Sequence, residues 1–139
     1  MGPLLDQQVC YSLYSTSSLI TLAYRSLLEP LKLTYPQFVV MMSLWQNDNI
    51  SVTKLAKTVG LSKPTMTPLL KRLELAGYIT REFELSNDRQ KNVALTSLGQ
   101  SLAPDAEKVA QQALCATNLS NDEAKLLISL CKKVKQALV

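Results

Sequence analysis

A chain of 139 residues with 47% hydrophobic content suits one domain with a sizeable core and is too apolar for disorder. Three cysteines without a CxxC pair, and no histidine, argue against a structural zinc site, so neither metal nor cofactor is expected. No apolar run approaches a membrane span and no signal peptide precedes the first helix, which makes the cytoplasm the expected compartment. The net charge of +4 is mild, and its placement matters more than its size.

Four glycines and long apolar-periodic segments predict a mostly helical protein. Asp6 can cap a first helix from about Gln7 towards Glu29, with Leu13, Ile20, Ala23 and Leu27 as its apolar stripe. Pro30 disfavours helical backbone at the residue before it and ends the segment. Thr34-Tyr35-Pro36-Gln37 is a capping box for a second helix through about Gln46, whose Phe38, Val39, Met42 and Trp45 read as core. Asn47-Asp48-Asn49 is then a turn.

The stretch from Ser51 to Ala76 organises the rest. Ser51 caps a short helix with Val52, Leu55, Ala56 and Val59 on one face, and Gly60 supplies the left-handed C′ residue that ends it. Ser62 caps a second helix with Pro64 in its first turn, where the missing N–H costs little. Leu69, Leu70, Leu73 and Ala76 are expected inside, and Gly77 stops the helix. The other face presents Lys63, Thr65, Met66, Thr67, Lys71 and Arg72, the hydroxyl, apolar and cationic mixture of a helix that reads base edges and holds phosphates. Pro68 removes an interior donor, so a bend or loosened turn is expected there. Any helical hairpin with a basic face shares this pattern, and the next segment of the chain narrows it. Tyr78 to Phe83 is β-rich, Glu84 to Gln90 is polar, and Lys91 to Leu95 returns as a strand, which predicts a winged helix with Arg89 and Lys91 near the hairpin tip. Between Val52 and Thr96 eight Lys/Arg face four Asp/Glu, so the reader carries the whole net charge of the chain. That supports salt-sensitive phosphate binding.

Thr96 caps a helix from Ser97 to about Thr117 that Pro104 interrupts or kinks. Ser120-Asn121-Asp122-Glu123 is a second capping box, opening a terminal helix with Ala124, Leu127, Ile128, Cys131 and Val134 on one face. The expected architecture is one domain over residues 1–139, mostly α with a small β-hairpin wing. Its winged helix-turn-helix occupies about 50–96, and helices at about 7–46 and 97–138 form an antiparallel dimerisation layer. A homodimer places two reading helices one DNA turn apart, suited to a pseudo-palindromic duplex.

Cys10 falls near the start of the first helix, where the helix dipole favours a thiolate. Tyr14 lies about 40° around the helix on one side and Tyr24 about 40° on the other. Phenols on a thiol-bearing face can hydrogen-bond a thiolate or a sulfenate, and they can equally be packing, the commoner use of both residue types.

The segment LTYPQFVVM, the stretch ISVTKLAKTVGLSKPTMTPLLKRLELAGYITR and the segment NDRQKNVALTSLG resemble the MarR family of winged-helix regulators, specifically its organic-hydroperoxide-sensing OhrR branch. The run MTPLLKRLE is the most specific part. The resemblance implies a peroxide-reactive cysteine at Cys10 with Tyr14, Tyr24 and Tyr35 around it, Tyr35 coming from the partner subunit. It also implies a resolving cysteine at Cys115, whereas Cys131 has no counterpart and reads as core. The family's wing usually carries an Asp two residues before its Arg, and here that position is Asn87, with Asp88 beside it. The implied function is a repressor that binds operator DNA when reduced and lets go when an organic hydroperoxide oxidises Cys10 and Cys115 closes an intersubunit disulfide. A MarR-type repressor released by a small aromatic ligand is the alternative. A thiol peroxidase using the same cysteines is the lesser rival, because an enzyme has no need of a DNA-reading helix.

Overall fold

The computed structural model describes the backbone of residues 1–84 and 87–139, with side chains described outside 83–90. A 3-10 turn at Leu5–Gln7 precedes α1 (Val9–Leu28). Asp6 therefore does not cap α1. It lies in the 3-10 turn, and Gln8 takes the N-cap position while its Nε2 donates to the Leu4 carbonyl at 2.9 Å. A second 3-10 turn, Glu29–Leu31, contains Pro30 and closes with Lys32 in the left-handed region at φ 54°. The chain then reverses into α2 (Tyr35–Gln46), whose Thr34–Gln37 capping box forms as the sequence predicts.

The winged helix comes next as β1 (Ile50–Ser51), α3 (Val52–Val59), α4 (Lys63–Leu75), β2 (Ile79–Glu84) and β3 (Asn87–Leu95). The strands form an antiparallel sheet in the order β1-β3-β2, with Ile50 opposite Val93 and Ile79 opposite Leu95. Two residues carry no periodicity, so β1 was invisible in the sequence. The expected polar connector is also shorter, because β3 already begins at Asn87. The predicted helix after the wing is two, α5 (Ser97–Ser101) and α6 (Ala103–Ala116), joined at Leu102. Pro104 sits in the first turn of α6, where its absent N–H leaves no intrahelical bond unmade. The chain ends in α7 (Asn121–Leu138) behind the Ser120–Glu123 capping box.

The core gathers Leu28 from α1, Phe38, Val40, Met41 and Leu44 from α2, Leu55 from α3, four residues of α4, and Ile79 and Val93 from the sheet. Each such side chain contributes about 1.5–3 kcal/mol on burial. The inner face of α2 thus runs through Met41 and Leu44; Val39, Met42 and Trp45 are only partly buried. Trp45 Nε1 donates to the Gly99 carbonyl at 3.0 Å, and a Cβ at Gly99 would overlap the Tyr78 carbonyl. Glycine is therefore required where α5 crosses the base of the wing. Leu28 is the only residue of α1 that is buried, and none of α7 is. The apolar side chains of both helices lie largely uncovered in the single chain. Among the described residues no helix is long and apolar enough to cross a membrane.

Candidate functional site

Local chemistry builds the reader. Ser51 Oγ accepts the Lys54 N–H at 3.1 Å and starts α3. Gly60 at φ 75° ends it, with the Gly60 and Leu61 N–H groups both bonding the Ala56 carbonyl. Ser62 caps α4 by accepting the Thr65 N–H at 3.4 Å, and the two hydroxyls lie 2.9 Å apart. Lys63, Thr65, Thr67, Lys71 and Arg72 are exposed along α4, as predicted. Thr67 Oγ1 donates to the Lys63 carbonyl at 3.1 Å, which leaves its methyl and oxygen lone pairs for a ligand.

Met66 does not belong to this set. It is fully buried, because positions 66, 69, 70 and 73 form one inward stripe at helical spacing with Leu69, Leu70 and Leu73. A side chain inside the core cannot touch DNA. Ala76 is likewise exposed instead of inward, since it is already the C-cap. Pro68 is exposed within α4, which runs as one continuous helix from Lys63 to Leu75.

Two tertiary contacts aim the wing. Arg81 on β2 donates to Glu74 in the last turn of α4, through Nη2 at 3.1 Å and Nε at 3.4 Å. Those bonds, and the positive charge behind them, hold the Glu74 carboxyl below its usual value. Asp48 Oδ1 accepts both the Asn49 and the Leu95 N–H at 2.8 Å, pinning the end of β3 to the turn before β1. Neither contact is legible in the sequence. Arg81 and Glu74 are seven residues apart across a turn, and Asp48 and Leu95 are 47 apart. Lys91 and Arg81 border an open cleft against Lys63, Thr67 and the start of α3. The side chain of Arg89 lies outside the described residues, as do those of Asn87 and Asp88.

The thiols occupy a different region. Cys10 is the second residue of α1 and is exposed; Cys115, also exposed, is the penultimate residue of α6. Cys131 is half-buried on α7 and lies outside the core cluster, so the expectation that it is core does not hold. Tyr14 is 74% exposed. The rings of Tyr24 and Tyr35 pack at a tilt of 39° with centroids 4.5 Å apart, and burial together with Tyr35 raises the Tyr24 hydroxyl above its ordinary value. Fourteen residues of unbroken helix carry Tyr24 about 21 Å along α1 from Cys10. A thiol and its own Tyr24 therefore share a helix face but not a pocket, which corrects the expectation that Tyr24 flanks Cys10 within one chain. Tyr24 and Tyr35 form a unit.

The MarR family model matches residues 33–91. The organic hydroperoxide resistance transcriptional regulator of Bacillus subtilis (strain 168) is 34% identical over 125 residues, spanning 90% of this chain and 85% of that protein. The chain belongs to the MarR family. Its fold and relatives are those of transcriptional regulators, not enzymes. Among solved MarR-type structures, AbfR of Staphylococcus epidermidis is 30% identical, with 96% of this chain and 92% of that one covered at a TM-score of 0.82. Reduced AbfR bound to DNA gives 0.80 at 30% identity, covering 97% and 94% of the two chains. Disulfide-formed AbfR gives 0.68 at 29% identity, covering 96% and 89%.

Proposed function

We propose that this MarR-family protein is a homodimeric repressor that binds pseudo-palindromic operator DNA when reduced and releases it when an organic hydroperoxide oxidises Cys10. The observation that carries this reading is the placement of two exposed thiols, at the start of α1 and the end of α6, on helices outside the reader. In the first step the Cys10 thiolate attacks the peroxide, forming sulfenate and releasing an alcohol. In the second the Cys115 thiol of the partner subunit condenses with the sulfenic acid, giving a disulfide and water. An antiparallel second copy of α1 would bring the Tyr24–Tyr35 unit of one subunit towards Cys10 of the other, beside that subunit's own Tyr14. Both phenols are then partner residues, where the resemblance alone assigned only Tyr35. The bond requires the two Cα atoms within about 7 Å, so helices that start further apart must move and carry the recognition helices with them. A relative offers a parallel: this chain matches DNA-bound AbfR, reduced or overoxidised, at a TM-score of 0.80 and the disulfide form at 0.68, so AbfR's own conformation differs in its disulfide form.

Within α4 the cations Lys63, Lys71 and Arg72 serve the phosphates and Thr65 and Thr67 the bases, with Arg89 and Lys91 reaching the backbone or minor groove from the wing. The decisive experiment is intact mass under non-reducing denaturing conditions after one equivalent of an organic hydroperoxide, paired with duplex binding by wild type and Cys10→Ser. A covalent dimer mapped to Cys10 and Cys115, with Cys10→Ser still bound to DNA under peroxide, is the expected result. Loss of DNA binding by Cys10→Ser under the same treatment would remove Cys10 as the sensor. One observation favours the second reading, a repressor released by a small aromatic ligand: an apolar groove between α1 and α6 is lined by Leu19, Ile20, Ala23, Tyr24, Ala113 and Ala116. A chain left unoxidised by peroxide would transfer the assignment to it.

A further inference from the structure

Between the start of α3, the first turns of α4 and the wing lies an open cleft of about 220 Å³. Lys63 from α4, Arg81 from β2 and Lys91 from β3 line it, together with Ser51, Thr53 and Thr67. The sheet register explains the pairing of the two wing cations. Arg81 stands opposite Val93 and Lys91 opposite Phe83, so Arg81 and Lys91 are diagonal neighbours on the sheet face that sends Val93 into the core. Arg81 is only 17% exposed and is oriented by Glu74, which takes two of its five N–H donors. On the opposite wall, Val52 and Thr53 are the first two residues of α3. Their N–H groups precede the first intrahelical bond, whereas that of Lys54 goes to Ser51 Oγ.

Among the described residues, the Arg81 guanidinium fork, the Lys63 and Lys91 ammonium groups and the start of α3 border the cleft, and such donors suit the oxygens of a phosphodiester. The cleft is open and continuous with Lys63 and Thr67 of the exposed face of α4, so it accommodates a ligand that runs on past it as a polymer. We infer that this cleft seats one backbone phosphate of the DNA duplex, with Arg81 as its cation and Thr53 at its helix wall. The inference rests on the DNA-binding reading and deepens it. It adds Arg81 and Thr53 to the interface and gives Glu74 a positioning role. Such a contact is independent of sequence and fixes the wing relative to the groove that α4 reads.

The test uses the full reduced chain and a labelled duplex of random sequence, with affinity measured by anisotropy over a range of NaCl. Arg81→Gln should lower the slope of log K against log[salt] by about 0.9, equivalent to about eightfold weaker binding at about 0.1 M salt. Thr53→Glu should lower it at least as much. A carboxylate in the first turn of α3 favours the helix, so the thermal midpoint of that variant should hold or rise, and its binding loss is not unfolding. Lys71→Ala, outside the cleft, should lose a separate contact that adds to either variant. Unchanged slopes for Arg81→Gln and Thr53→Glu beside a reduced slope for Lys71→Ala would overturn the seat and leave DNA binding standing. Absence of salt-dependent binding by the wild type would remove both. Inorganic phosphate binding that Arg81→Gln abolishes without altering the DNA slope would assign the cleft to a free anion, and the proposal would be wrong.

Discussion

Met66 sits four positions after the cap of α4, on a helix whose exposed face carries the hydroxyls and cations of the reader. Its place in the core means that its thioether fills space among Leu69, Leu70 and Leu73 and reads no base. Met66→Ala should destabilise the fold by about 2–5 kcal/mol through lost burial and the cavity left behind. A urea titration checks the loss. The relative affinities of the folded variant for different duplexes should stay as in wild type, and a changed sequence preference would return Met66 to the interface. Thr67 shows the opposite situation. Its hydroxyl proton is committed to the Lys63 carbonyl, so it meets a base as an acceptor or through its methyl.

At the scale of elements, two carboxylates close structures that other residues begin. Glu123 Oε1 accepts the Ser120 N–H at 2.9 Å and completes the box that starts α7, and that bond is the main cause of its lowered proton affinity. Glu74 is lowered chiefly by its hydrogen bond from Arg81, which joins α4 to β2. A carboxyl whose folded pKa is depressed contributes stability above the unfolded value, here 4.5, and loses it as pH falls through the folded value. The thermal midpoint should therefore drop as pH falls below about 4.5. Part of that drop should vanish in the double variant Glu74→Gln, Glu123→Gln, which begins less stable at neutral pH and is less sensitive to acid. Equal acid sensitivity in the two proteins would show that these contacts add nothing. The break between α5 and α6 follows another rule. Gly99 and Pro104 flank it, one allowing close approach to Tyr78 and the other taking a position that needs no N–H donor.

For the whole molecule, the uncovered apolar faces of α1 and α7 set the expected assembly. Leu19 and Leu22 on α1 and Leu126, Leu127, Ile128 and Leu130 on α7 are exposed, a concentration that isolated domains rarely carry. Leu127→Glu should shift the protein towards monomer in light scattering and weaken binding to a two-site duplex more than to a single half-site. A variant that stays dimeric would place the interface elsewhere. Local punctuation is legible in the chain alone: the Thr34 and Ser120 boxes, the Ser51 and Ser62 caps, and the glycine stops at Gly60 and Gly77 all stand at the positions their residue types imply. Each depends on residues within a few positions of one another, so the code for it is complete in a short stretch. Packing between distant elements sets the rest: Met66 turns inward, β1 pairs with Val93 and Asn92, Arg81 meets Glu74, and Tyr35 packs on Tyr24 some 21 Å of helix away from Cys10. Those outcomes depend on which elements pack against one another, and helical periodicity gives the spacing of a face without saying what covers it.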